Sequence, residues 1–128
     1  MKLLLDTHIW LWLRTEPRLL NKTVSIAIGN QENELWLSPI STWEILTLQS
    51  KNRIQLIEET AKWVQRATEG FNEAVLTHEI MTVARELQMH KDPADRMIAA
   101  TAIVHDMTLV TSDEKLLELP AIKTLPNR

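Results

Sequence analysis

The stretch MKLLLDTHIWLWL, Met1 to Leu13, decides how the rest of the chain is read. Leu3, Leu4 and Leu5 form a run that is apolar on both faces, which suits a buried parallel strand. Asp6 ends the run. Thr7 and His8 then lead into IWLWL, apolar on most sides and helical in character. A buried strand followed at once by a helix is the opening of an α/β chain, and Pro17 closes this first unit.

The same alternation continues downstream. Asn21 to Asn30 reads as a helix with Val24, Ala27 and Ile28 on its apolar stripe and Gly29 with Asn30 as its stop. Glu34 to Ser38 reads as a short strand, broken by Pro39. A helix capped by Ser41 or Thr42 is expected to run to about Ser50, with Trp43, Ile45, Leu46 and Leu48 as its apolar members. Lys51, Asn52 and Arg53 make a basic turn. Glu58 to Glu69 reads as an amphipathic helix with Ala61, Val64 and Ala67 or Thr68 inward. Phe71 to Leu76 is a candidate strand. Thr77 caps a helix reaching about Met89, with Ile80, Ala84 and Leu87 inward. TLVT, Thr108 to Thr111, is a strand, Ser112 and Asp113 open a helix to about Leu119, and Ala121 to Thr124 is a last candidate strand. Together these predict an α/β domain with a mostly parallel sheet and helices on both faces. No repeat or linker divides residues 1–128, so one domain is expected.

HKDPADRMIAA, His90 to Ala100, carries a second message. Asp92 suits a helix cap and Pro93 the first helical position. Asp95, however, shares a stripe with Ile98, Ala99 and Ala102. A carboxylate aimed at an interior needs a partner, a proton or a metal. Three other acids have similar settings. Asp6 and Asp113 follow strands, at the edge where open parallel sheets hold ligands, although either can also serve as a helix cap. Glu44 lies on the row Ile40, Glu44, Leu48, otherwise an apolar ridge. Four acids gathered at one place cannot all stay ionised without a cation. Such oxygen-rich sites suit Mg²⁺ or Mn²⁺ rather than zinc. Among the histidines, His8 can touch a phosphate or help start its helix, and His90 is expected at the C-terminal end of a helix. The five tryptophans are expected mainly in core and interface.

Bulk properties are compatible with this. Hydrophobic residues make up 45% and charged residues 24%, ordinary for a soluble globular protein. No cysteine is present, which excludes disulfides and thiolate metal sites. No apolar segment reaches the roughly 20 residues of a membrane span. Asp6 and His8 spoil the N-terminus as a secretion signal, so a cytoplasmic location without membrane contact is expected. The net charge of −3 gives no bulk support for nucleic-acid binding. Setting four metal-holding carboxylates aside leaves the remaining chain slightly positive, so local basic groups can still meet phosphates.

MKLLLDTHIWLW, SPISTWEI, HKDPADRMIAATA and LVTSD, in this order and spacing, resemble the PIN-domain nucleases. The resemblance covers nearly the whole chain and is closest to VapC-type toxin ribonucleases of bacterial toxin–antitoxin pairs. It implies a three-layer α/β/α sandwich. It implies that Asp6, Glu44, Asp95 and Asp113 hold Mg²⁺ or Mn²⁺. Asp92 matches an extra acid, Thr7, Ser41 and Thr111 match hydroxyls that orient carboxylates or water, and Arg96 matches an arginine that contacts RNA or a partner. Ala94 departs from relatives that carry an aromatic residue there. The implied reaction is metal-dependent endonucleolytic cleavage of single-stranded RNA, leaving a 5′-phosphate and a 3′-hydroxyl. The implied partners are a cognate antitoxin and a second copy of the chain. Cleavage of DNA and a non-catalytic PIN-fold module are the alternatives; the four acids argue against the latter. A phosphatase of the haloacid dehalogenase type needs a second acid two residues after the first, where this chain has His8. A phospho-acceptor receiver domain usually has paired acids at that strand end, and Lys123 alone does not supply the rest of its pocket.

Overall fold

The computed structural model describes all residues, Met1–Arg128. Five strands, β1 (Lys2–Leu5), β2 (Glu34–Leu37), β3 (Asn72–Glu73), β4 (Thr108–Thr111) and β5 (Lys123–Pro126), form one sheet in the order β3-β2-β1-β4-β5. Every pairing is parallel, so the sheet is wholly rather than mostly parallel. Parallel neighbours need crossovers, and seven helices supply them. They are α1 (Thr7–Thr15), α2 (Lys22–Gly29), α3 (Pro39–Ser50), α4 (Thr60–Ala67), α5 (His78–Glu86), α6 (Pro93–Val104) and α7 (Glu114–Leu117), with a 3-10 turn at Pro17–Leu19.

The central strand explains the layering. Successive side chains of a strand point to opposite faces. Leu3 and Leu5 therefore join Ile9, Trp10, Val24, Ile45 and Trp63 in one core, while Leu4 joins Ile98, Ala99, Ala102 and Leu116 in the other. On β4, Val110 belongs to the first core and Leu109 to the second. This is the expected three-layer α/β/α arrangement, with both faces of the sheet covered.

Several local expectations change. Ser38, not Ser41 or Thr42, caps α3: its side chain accepts from Ile40 N, and Pro39 takes the first helical position. Ser41 is thereby freed from capping and is fully buried. Trp43 is 66% exposed rather than part of a core stripe. On α4, Val64 and Ala67 face the core as expected, but Trp63 joins them and Ala61 is exposed. Trp10 and Trp63 lie with ring centroids 5.3 Å apart, and the Trp10 indole donates to Ala67 O at 2.8 Å, closing α4 over α1. IWLWL is thus largely core: Ile9, Trp10 and Leu11 are buried, so it leaves no apolar surplus of the kind an interface needs. The Phe71–Leu76 strand shrinks to two residues, β3, at the sheet edge, and β5 lies slightly later than Ala121–Thr124. Helix α5 stops at Glu86, short of Met89, which leaves His90 in a loop and not at a helix end.

Candidate active site

Adjacent parallel strands present their carboxyl ends side by side. Leu5 of β1 pairs with Val110 of β4, so Asp6 and Thr111 follow in step. Asp6 is buried, and its carboxylate is held from two sides. Oδ1 accepts from Thr7 N at 2.9 Å, and Oδ2 accepts from Thr111 Oγ1 at 2.7 Å. Thr111 Oγ1 in turn accepts from Asp113 N at 3.0 Å, which fixes the turn carrying the next acid. On the other side, Thr7 Oγ1 hydrogen-bonds Glu44 Oε1 and lies 2.9 Å from Ser41 Oγ. With its single proton directed to the carboxylate, Thr7 accepts from Ser41. One chain of contacts therefore links Glu44, Thr7, Asp6, Thr111 and Asp113.

Asp95 enters from α6. Asp92 caps that helix by accepting from Asp95 N at 3.2 Å, as its sequence setting predicts. The Asp95 carboxylate, the Asp113 carboxylate and His90 each offer one atom within 4.8 Å of the others. Asp6 and Glu44 stand beside this trio rather than in it. All four acids nonetheless share one field. Burial pushes the Asp95 carboxyl up to about 7, helped by the charges of Asp92, Asp6, Asp113 and Glu44. Burial also raises Asp6, against the opposing hydrogen bonds of Thr111 and Thr7. Glu44 is raised by burial too, offset by Thr7 and reinforced by Asp6 and Asp92. Crowded, half-buried carboxylates with hard oxygen donors fit a divalent cation, which removes the repulsion that otherwise forces protons on.

An open cleft of about 310 Å³ adjoins Glu44 and Asp92, lined also by His8, Trp43 and Ala94. His8 is exposed, and its ring centroid is 5.9 Å from that of Trp12. The small Ala94 side chain keeps this part of the cleft wide.

Arg96 is half-buried and engaged with the chain before it. Its Nε donates to His90 O at 3.0 Å, Nη1 to Ala84 O at 2.8 Å and Leu87 O at 3.1 Å, and Nη2 to Met89 O at 2.8 Å. The guanidinium satisfies the orphan carbonyls at the end of α5 and shapes the α5–α6 connection. This clamp is a role the resemblance did not imply for Arg96. Arg96→Met is expected to cost roughly 2 to 3 kcal/mol, since several charge-assisted bonds go at once. Denaturant unfolding measures it; an unchanged midpoint would return Arg96 to a surface role.

His90 was the residue whose place the sequence hid. Its Nε2 is buried without a hydrogen-bond partner, 3.4 Å from Asp95 Oδ2. The available signal was its position two residues before the cap Asp92.

Residues 3–122 match the family model described as PIN domain. The chain belongs to the PIN-domain family. It is 37% identical over 115 residues to Ribonuclease VapC22 of Mycobacterium tuberculosis, covering 88% of each protein, which makes it a VapC-type member. Its fold is similar to that of a chain of VapBC2 from Rickettsia felis bound to a promoter DNA fragment. There the TM-score is 0.77 and the identity 19%, over 100% of both chains. Similar again is a chain of VapBC-1 from nontypeable Haemophilus influenzae, with TM-score 0.71 and 18% identity over 98% of both chains. At these identities the two structures speak for the fold.

Proposed function

We propose that residues 1–128 act as one metal-dependent endoribonuclease unit, the toxin of a toxin–antitoxin pair, cleaving single-stranded RNA in the cytoplasm. The observation that carries this reading is the crowd of one buried and three half-buried acids by the carboxyl ends of β1 and β4, with Asp95 pushed up to about 7. The kinship to Ribonuclease VapC22 supports RNA as the substrate. The fold shared with chains of VapBC complexes supports an antitoxin partner.

Asp6, Glu44, Asp95 and Asp113 would hold Mg²⁺, with Mn²⁺ as a substitute. When bound, such an ion stabilises the charge of a phosphoryl transition state and activates water. The remaining work falls to the chain. Thr7 and Thr111 orient the two oxygens of Asp6, and Thr7 also aims Glu44. Ser41 supports Thr7 from beneath. Asp92 holds the start of α6, and with it Asp95. His8 borders the cleft together with Glu44, where it could meet a phosphate.

Trp43 gives a reason to favour single strands. Its exposed indole follows the cleft wall next to Glu44, and an unpaired base can stack there, worth about 1 to 3 kcal/mol. Trp43→Ala should therefore weaken binding of a short single-stranded RNA about tenfold, and Trp43→Phe much less. Fluorescence anisotropy with Ca²⁺ in place of Mg²⁺ reads this; equal affinity of all three proteins rejects the stacking role.

A panel of single-stranded RNA, RNA duplex and single-stranded DNA tests the substrate class. Cleavage of unpaired RNA alone is expected, with 5′-phosphate products, suppressed by the antitoxin. Equal cleavage of DNA would instead favour a nuclease that does not read the 2′-hydroxyl. A homodimer is also proposed, carried by the resemblance to VapC-type toxins alone. A monomer mass by light scattering at micromolar concentration would reject it.

A further inference from the structure

The Nε2 atom of His90 has neither solvent exposure nor a hydrogen-bond partner. A buried donor left in that state costs about 1 to 3 kcal/mol, so its retention calls for a use. Two contacts define what the ring can do. Nδ1 accepts from Asp92 N at 3.3 Å, which puts the ring proton of the neutral imidazole on Nε2. Asp95 Oδ2 lies 3.4 Å from Nε2, close but out of line for a hydrogen bond. The backbone of His90 is itself pinned, because Arg96 Nε donates to its carbonyl.

We propose that His90 is a positioning residue for Asp95, its Nε2–H closing onto Oδ2 when Asp95 and Asp113 hold a cation, so that the carboxylate keeps the orientation ligation needs. The inference rests on the metal-dependent reading above. A carboxylate that gives one oxygen to a cation keeps the other free to accept a hydrogen bond, and such outer partners fix ligand orientation. Direct ligation by His90 is the competing geometry, since its nitrogen lies within 4.8 Å of both carboxylates. That arrangement would move the proton to Nδ1 and break the contact with Asp92 N. The structure favours the first arrangement because that contact is made.

Two substitutions separate the two nitrogens. In His90→Asn the side-chain amide falls near Nδ1, so the contact with Asp92 N survives and the Nε2 donor is lost. In His90→Gln the amide N–H reaches the place of Nε2 and restores the donor. The probe is Mn²⁺ alone, its binding followed through the EPR signal of the free ion, with thermal unfolding in EDTA run beside it. His90→Asn should weaken Mn²⁺ binding by roughly 10- to 100-fold, the range for lost outer partners. His90→Gln should bind Mn²⁺ nearly as wild type does, and in EDTA both variants should stay folded, with His90→Asn no less stable than wild type because the unpaired donor is gone. Pulsed EPR of Mn²⁺-loaded wild type should show no imidazole-nitrogen modulation. Unchanged binding in His90→Asn, equal losses in both variants, or a clear imidazole modulation would each overturn the proposal. If wild type itself bound no Mn²⁺, the metal-dependent reading would fail and this inference with it. Normal wild-type binding with an indifferent His90→Asn would sink the His90 role alone.

Discussion

Asp6→Asn is expected to abolish RNA cleavage while leaving the chain folded. The carboxylate is the best-held acid of the site, fixed by Thr7 N and Thr111 Oγ1 at 2.9 and 2.7 Å. Asparagine keeps one acceptor for Thr7 N, and its amide can donate to the Thr111 hydroxyl, so the local hydrogen bonds can be re-made. The change relieves a buried charge whose ionisation burial already opposes. What it removes is the negative oxygen pair between Thr7 and Thr111. Loss of a direct ligand should exceed the roughly 100-fold upper range for outer partners. Cleavage of a labelled RNA checks the activity, and circular dichroism checks the fold. Activity within tenfold of wild type would remove Asp6 from the catalytic set.

Asp95→Asn carries the second large expectation, in stability rather than rate. The Asp95 carboxyl stands at about 7 in the folded chain against 3.8 for an ordinary aspartate. Between those values the native chain holds a proton that the unfolded chain has lost. Stability of the metal-free protein therefore falls as pH rises from about 4 through about 7. Asparagine has no proton to lose, so Asp95→Asn should have the flatter profile and unfold at the same or a higher temperature at pH 8 in EDTA. A cation that binds only the folded chain adds stability by mass action, roughly 2.7 kcal/mol at about 100 times its dissociation constant. Mn²⁺ should raise the unfolding midpoint of wild type and much less that of Asp95→Asn. Asp92→Ala is a contrast: it should cost roughly 1 kcal/mol through the lost cap at any metal concentration. Thermal unfolding of the three proteins across pH and a Mn²⁺ titration decides. An equal metal-induced rise in wild type and Asp95→Asn would place the cation elsewhere.

Local physics made much of this protein legible. The strand Lys2–Leu5, the caps Asp6, Thr77, Asp92 and Asp113, and the Pro93 helix start all depend on neighbours within a few residues, and all are where the sequence puts them. Strand ends in a parallel sheet share one edge, so the placement of Asp6 and Asp113 on that edge was legible, whereas the adjacency of β1 and β4 was not. Long-range packing was the opaque part. Whether Ala61 or Trp63 faces the core depends on how α4 lies over Trp10, which no helical period encodes. The Ser38 cap was masked by Pro39, read as a strand breaker when it is also a good first helical residue. Arg96 and His90 owe their roles to a loop whose carbonyls Arg96 gathers from six to twelve residues upstream, a pattern without a sequence signature.

The most direct test is cleavage of single-stranded RNA by wild type and Asp6→Asn, purified identically, through a cycle of Mg²⁺, excess EDTA and restored Mg²⁺. Wild type should cut only while Mg²⁺ is free, stop in EDTA and resume on restoration, and Asp6→Asn should stay inactive throughout. Cutting by wild type that continues unchanged in excess EDTA, with Asp6→Asn silent, would contradict a metal held by these acids.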